Sequence, residues 1–293
     1  MSRRGWGLFL LMSLIWGIPY LLIRVAVRSI DPGTLLVFRT IPAALVLLPI
    51  AFLNKGFGSL RGRLHWVVLF AVAEFGIPWF FMGTAEKHLS SSLTSLLASA
   101  VPLATLGMNA ITGREHGLSP IRLVGVGLGT AGVAGLVGFN VSNGSWKYIA
   151  MMLVVVLGYS VGPMILRYRL EGANGTAVVG ISTLAMGVAW SPWALTHMPH
   201  HVTGEQWWSV VGLSTICTAV AFVAFFALVH EVGPSRSVVV TFINPAVAVL
   251  IGVLAAHENL TTGIILGLPL IVLGSVLATS SSAKMAVEPS GGG

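Results

Sequence analysis

The chain has 293 residues, of which 55% are hydrophobic and 9% charged, with a formal net charge of +7. A soluble domain carries about 25% charged residues, so this balance, with a mean hydropathy of +0.90, excludes water as the main solvent of the surface. The basic residues sit in short loops rather than on one soluble face, which excludes nucleic acid as their partner, and the single Cys217, inside an apolar run, excludes a disulfide framework.

A hydrocarbon layer of about 30 Å requires roughly 20 apolar residues of helix, and runs of that length recur along the whole chain. Strands of a membrane barrel would alternate in segments of about 10 residues; these runs do not. The sequence therefore predicts an all-α membrane protein with the lipid bilayer as its surroundings. In chain order the ten expected spans are Gly5–Ala26, Gly33–Leu53, Leu64–Gly83, Ser91–Thr112, Ile121–Gly138, Trp146–Leu166, Thr176–Thr196, Trp207–Val229, Arg236–Ala256 and Thr261–Thr279. The first run is too long for the core of a signal peptide and has no A-x-A-like cleavage site after it, so it reads as a span. The links are short and leave no room for a soluble domain. Residues 280–293, ending E-P-S-G-G-G, read as a disordered tail.

With the N-terminus placed in the cytoplasm, most of the 16 Lys and Arg fall on that side. The bias predicts both termini inside, in a cell inner (plasma) membrane. Arg24 and Arg28 are a local violation on the far side.

The stretch Glu86–Glu115 has an echo at Val229–Glu258. Each has a polar, small-residue lead-in, a long apolar run containing one proline, and a glutamate at the end. Pro102 and Pro245 are 143 positions apart, and so are Glu115 and Glu258. At the same offset Trp16 falls on Tyr159 and Arg24 on Arg167; after one gap, Gly125 falls on Gly267 and Gly132 on Gly274. The expected organisation is two five-helix repeats, residues 5–138 and 146–279. An odd number of spans per repeat forces the second copy to insert upside down. Inverted repeats suit alternating access to a site at their shared midplane.

These features resemble the drug/metabolite transporter superfamily, in its ten-helix branch built from two EamA-type domains. The resemblance rests on L-I-W-G-I-P-Y (Leu14 to Tyr20), on L-S-S-S-L-T-S and V-G-P-S-R-S-V, and on Pro102 and Pro245. The endings G-R-E and A-H-E, followed by L-S-P and L-T-T, complete it. It implies a secondary transporter without cofactor, and the look is closest to bacterial amino-acid exporters. A departure is Gly158-Tyr159 in the second copy where the first has Trp16-Gly17, so the two halves of the site are not chemically equivalent.

Glu74 is the acidic residue near the middle of a span. It lies about 15 Å into the third span at 1.5 Å per residue, where a charge costs roughly 2.5–3.5 kcal/mol to insert. It is expected either to bind a substrate amine or coupling proton in a central cavity, or to form a buried pair with Arg39. Arg39 either snorkels to the outer interface, pairs, or meets a substrate carboxylate. Trp16, Tyr20, Trp79, Tyr159, Phe222, Phe225 and Phe226 are candidates for an apolar or cation-binding wall, with packing as the alternative for each. Pro78, Ser95, Ser99 and Asn244 complete the candidate substrate site; small hydroxylic residues also serve close helix packing. Pro19, Pro102, Pro163 and Pro245 are candidate hinges, because a helix-interior proline removes one backbone hydrogen bond. The glycines of the fifth span predict a close-packing helix, its partner either the tenth span or a second protomer; the chain is expected to be a monomer or homodimer.

His197, His200 and His201 have no metal-ligand spacing, and there is no phosphate loop and no catalytic dyad at a common depth. The expected function is export of small metabolites, amino acids foremost, and no enzymatic activity. Export of drugs or other metabolites is the alternative within the family, an intramembrane lipid-modifying enzyme the alternative outside it.

Overall fold

The computed structural model describes residues 2–113, 119–140, 145–233, 237 and 239–279. Glu115, Arg236 and the tail from 280 onward lie outside the described residues. All regular structure among the described residues is helical, the only solution that satisfies every backbone polar group in lipid without closing a barrel.

Eight helices are long and apolar enough to cross a membrane: Arg3–Ala26, Pro32–Leu53, Leu64–Glu86, Ser91–Ile111, Pro120–Gly138, Trp146–Arg169, Gly175–Thr196 and Gly204–Val232. Two shorter apolar helices, Val240–Ala256 and Thr262–Ala278, supply the ninth and tenth spans. The protein is a multi-pass membrane protein, and leucines such as Leu45, Leu53 and Leu254 stay exposed on its flanks, as a lipid-facing surface requires. Polar caps start the helices: Asp31, Ser90 and Asn174 each accept a bond from a first-turn amide. Thr203 and Gln206 form a reciprocal capping box. That box starts the eighth span at Gly204, ahead of the expected Trp207. The third span runs past the expected Gly83 to Glu86, which is carried into the interior at 2% exposure.

The packing partners form a pattern. The second span packs on the seventh, the fourth on the ninth and the fifth on the tenth. The third packs on the sixth and the eighth on the first; the third also meets the seventh and the eighth the second. Exchanging the two halves of the chain returns the same set of pairs.

Glycine fixes the tightest pair. A Cβ on Gly274 would collide with the backbone of Gly129, one on Gly125 with Ala278, and one on Gly132 would lie 2.9 Å from Ile271. The contacts rise along one helix as they fall along the other, so the fifth and tenth spans run antiparallel. The partner of the fifth-span glycines is the tenth span of the same chain. Gly33 against Trp193 and Gly180 against Leu47 and Leu48 give the second and seventh spans the same antiparallel sense.

The third and eighth spans each contain a π-helical turn, Val72–Gly76 and Gly212–Val220. The two overlap when the halves are aligned at the repeat offset. Proline acts unevenly. The first span stops at Ile15 and restarts at Pro19, and the fourth stops at Ala98 and restarts at Val101, just ahead of Pro102. Pro163 and Pro245 lie inside unbroken helices.

Candidate functional site

The π-helical turn of the third span carries Glu74 at mid-depth. An extra residue in such a turn leaves backbone bonds misaligned and re-aims the side chain, which is why these turns concentrate at functional sites. The turn seats against the sixth span, where Gly158 takes Ala73 and Pro78, and Gly162 takes the Glu74 carboxyl. A Cβ on Gly162 would strike that carboxyl, so this G-x-x-x-G face exists to admit an acid. Glu74 Oε2 is buried without a hydrogen-bond partner among the described residues.

Arg39 neither snorkels nor pairs with Glu74. It is 7% exposed; its guanidinium carbon lies 3.4 Å from the centre of the Trp79 ring. Its Nε donates to the Thr218 hydroxyl at 3.0 Å, on the π-helical turn of the eighth span. No ion pair joins Arg39 to an acid among the described residues. A void of about 10 Å³, the size that holds one water, adjoins Arg39 and Trp79.

Aromatic rings join these groups across four spans. Trp79 meets Phe75 at 4.9 Å and Phe75 meets Phe222 at 5.7 Å, edge to face. Phe222 continues to Trp16 at 5.9 Å and to Phe226 at 6.2 Å, and Trp16 reaches Phe225 at 4.9 Å. Each such pair contributes about 0.5–1.5 kcal/mol beyond its area, enough to order the wall. Tyr159 neighbours Trp79, Glu74 and Arg39, and Tyr20 lies within electrostatic reach of Arg39 and Glu86. The structure therefore brings together Trp16, Tyr20, Glu74, Trp79, Tyr159, Phe222 and Phe226. Asn244, half-buried beside Pro245 in the ninth span, also has an amide oxygen without a partner among the described residues. Ser95 and Ser99 are different: their hydroxyls bond back to Ser92 and Leu96 carbonyls of their own helix. Pro78 is a packing residue against Gly158.

One end of the molecule is clasped. His257 takes a left-handed φ of 52° at the end of the ninth span, and the Glu258 amide then bonds back to the Gly252 carbonyl at 3.0 Å. This turn aims the Glu258 carboxylate at the start of the fourth span. Its Oε1 accepts from the Ser91 amide and hydroxyl, both at 2.8 Å, and its Oε2 from the Ser92 amide at 3.0 Å and hydroxyl at 2.5 Å. The positive end of a helix favours an anion there. Burial alone would raise this carboxyl, but the hydrogen bonds from Ser92 and Ser91 outweigh it and hold the group below its ordinary value. Arg24 Nε lies 3.6 Å away, and Arg28 lies 3.9 Å from Glu205. Each arginine of the charge-rule violation thus has an acid on its own side.

Sequence reasoning missed Phe75, both π-helical turns and Glu86. Phe75 was detectable, one helical turn from Trp79. The spacing of Gly158 and Gly162 signalled a close approach. Glu86 read as a solvated lead-in because it follows the expected end of its span. Among the described residues no group of three or more His, Cys, Asp or Glu is placed to hold a metal.

Ten helical spans, main packing pairs that recur between the two halves, and an acid, an arginine and aromatic rings at mid-depth define a polytopic membrane protein built around a polar centre. The chain belongs to the EamA-like transporter family, whose pattern matches residues 3–138 and again 146–280. It is 26% identical to the uncharacterized inner membrane transporter YedA of Escherichia coli K12, over 97% of this chain and 93% of that one. It is 23% identical to an uncharacterized transporter of Archaeoglobus fulgidus, over 92% and 97%. A solved crystal structure superposes with a TM-score of 0.68 at 20% identity, covering 95% of this chain and 97% of the other. That likeness bears on the fold alone.

Proposed function

We propose that the protein exports small amphipathic metabolites, amino acids foremost, by alternating access between two inverted halves, residues 5–138 and 146–279. The observation that carries this reading is the separation of Glu74 and Arg39. They are an acid and a base near the centre, linked by a wall of rings and without an ion pair between them among the described residues. A zwitterion supplies what each lacks, an ammonium for the Glu74 carboxyl and a carboxylate for Arg39, with its side chain on Trp16, Phe222 and Phe226. The antiparallel second–seventh and fifth–tenth pairs support inversion, which lets two packings of similar energy face opposite sides. The Glu258 clasp supports a state closed at one end, taken here as the outer end, with both termini in the cytoplasm. The relatives' names support a transporter of an inner membrane rather than an enzyme.

The test is counterflow in proteoliposomes preloaded with amino acids, nucleosides, sugars or cationic dyes. Amino acids are expected to exchange, and Glu74→Gln to slow that exchange by about tenfold or more at equal protein level, the loss of one charged contact. Exchange of a dye and of no amino acid would overturn the substrate class. Full activity of Glu74→Gln at every pH would remove Glu74 from the mechanism.

A further inference from the structure

Beside the clasp, and apart from the central groups, lies a polar cavity of about 360 Å³ lined by Arg24, Val27, Arg28, Glu86 and Lys87. Glu86 is the unusual member. It is 2% exposed, and neither carboxyl oxygen has a hydrogen bond of ordinary geometry among the described residues; Arg24 is the cation that acts on it most strongly. An acid sealed from water and left short of donors is costly, and such a group at a cavity wall points to a donor that arrives from outside. The other charged groups of the cavity are all cationic. Lys87 forms no ion pair among the described residues, and Arg28 is held only by the long, exposed contact to Glu205, the kind that contributes little. Arg24 is shared with Glu258 and the Leu89 carbonyl.

We propose that this cavity is a second binding site, an outer vestibule for a free α-amino acid. The ligand's ammonium meets Glu86, and its carboxylate meets Lys87 and Arg28. A simple anion would leave Glu86 unmet and repelled, and a simple cation would face three positive groups, so the lining fits a zwitterion and neither of its halves. Tyr20, one turn before Arg24 on the first span, lies within electrostatic reach of both Glu86 and Arg39. Arg24 belongs to both vestibule and clasp.

The substrate class rests on the exporter reading above, and the test separates the two. Equilibrium binding of radiolabelled L-alanine is measured on the full chain in lipid nanodiscs, with unlabelled propionate and ethylamine as competitors that each lack one charge. The wild type is expected to bind at two sites. Glu86→Gln loses one, Lys87→Gln weakens the same one by roughly tenfold, and Glu74→Gln retains it. Neither competitor displaces alanine from it as well as alanine does. Lys87 is exposed, so its variant keeps the test open if Glu86→Gln does not fold. A vestibule site present when central binding is missing supports the vestibule and refutes the exporter reading. Unchanged binding in both Glu86→Gln and Lys87→Gln, or equal displacement by propionate, overturns the vestibule and leaves the exporter reading standing. Alanine binding at no site in any of the proteins overturns both.

Discussion

The two halves of the chain carry prolines at matching depths, and only the first half breaks at them. The first span interrupts its helix before Pro19 and the fourth before Pro102, while the sixth and ninth run straight through Pro163 and Pro245. Proline is therefore not sufficient. A proline removes one hydrogen bond, and a membrane helix tolerates that when its neighbours hold the chain in line. What distinguishes the broken sites is the residue just upstream. Gly17 offers little helix propensity, about 1 kcal/mol less than alanine, and its amide has shifted to the Leu14 carbonyl. Ser99 turns its hydroxyl onto the Leu96 carbonyl and so competes with the helix ladder. At the repeat offset Ser99 falls on Phe242, which has no hydroxyl. Gly17 falls on Ser160, whose hydroxyl bonds the Val156 carbonyl at 2.8 Å without interrupting its helix, so it is the glycine rather than a hydroxyl that sets the first span apart. Two sequences with one ancestral pattern thus give a jointed half and a stiff half. The joint in the fourth span has a structural consequence: its first part packs chiefly on the ninth span, while both parts meet the sixth and tenth.

The largest expected effect tests what the halves share. If the fifth–tenth seam is the common axis of both, filling it should be fatal to the fold. Gly274→Leu drives a side chain into the Gly129 backbone, and overpacking on this scale costs at least about 3 kcal/mol. Gly127, one helical face away, has open space around it. Gly274→Leu is expected to yield no monodisperse protein in detergent, while Gly127→Leu melts within a few degrees of the wild type. Equal melting of the two would remove the seam as the shared element.

A smaller effect tests the clasp, which ties the loop of the stiff half to a span of the jointed one. Glu258 accepts four hydrogen bonds from Ser91 and Ser92, and loss of its charge should cost about 2 kcal/mol. The pH dependence follows from its lowered carboxyl. The folded value lies below the ordinary 4.5, so the folded state binds the proton more weakly than the unfolded chain does. The clasp's contribution is then fully present above about pH 4.5 and is lost as pH falls through the lower folded value. Thermal melts from pH 7 to pH 3 should show the wild type losing its advantage over Glu258→Gln only below about pH 4.5. A constant difference across that range would detach the clasp from the Glu258 charge.

How much of this was legible in the sequence differs by kind of feature. The spans were, because about 20 apolar residues in a row admit few other fates. The fifth–tenth contact was half legible: the glycines marked a close approach, and only the fold says which helix approaches. Trp16 and Tyr159 stood at matching positions, which put them near a common centre. The π-helical turns were not legible, since nothing within either turn announces it: the third-span turn seats on the Gly158 and Gly162 face of the sixth span, and the eighth-span turn packs chiefly on the second. Glu86 was misjudged for a similar reason. The sequence places it at the end of a span, and its 2% exposure comes from tertiary packing that its neighbours in sequence do not announce. For Arg39 the structure sets aside snorkelling and the Glu74 pair, and its stacking on Trp79 was not legible because it depends on a partner forty positions away.

The smallest effect bears directly on the jointed and stiff halves, and it is read in rates rather than in stability. Pro102→Ala returns an amide to the fourth span, yet Ser99 keeps its competing hydroxyl bond, so the break should narrow without vanishing. If the joint must flex for the two parts of the span to part company, counterflow should slow by about tenfold, near 1.4 kcal/mol of barrier, with the melting point unchanged or raised. Pro245→Ala adds an amide to a helix that is already continuous, and should change the rate by less than about twofold by the same logic. The combined variant Ser99→Ala with Pro102→Ala removes both causes of the break and should be slower than either alone. Equal slowing by Pro102→Ala and Pro245→Ala would mean that both halves bend during transport, and the stiffness of the second would then belong to one conformation rather than to its sequence.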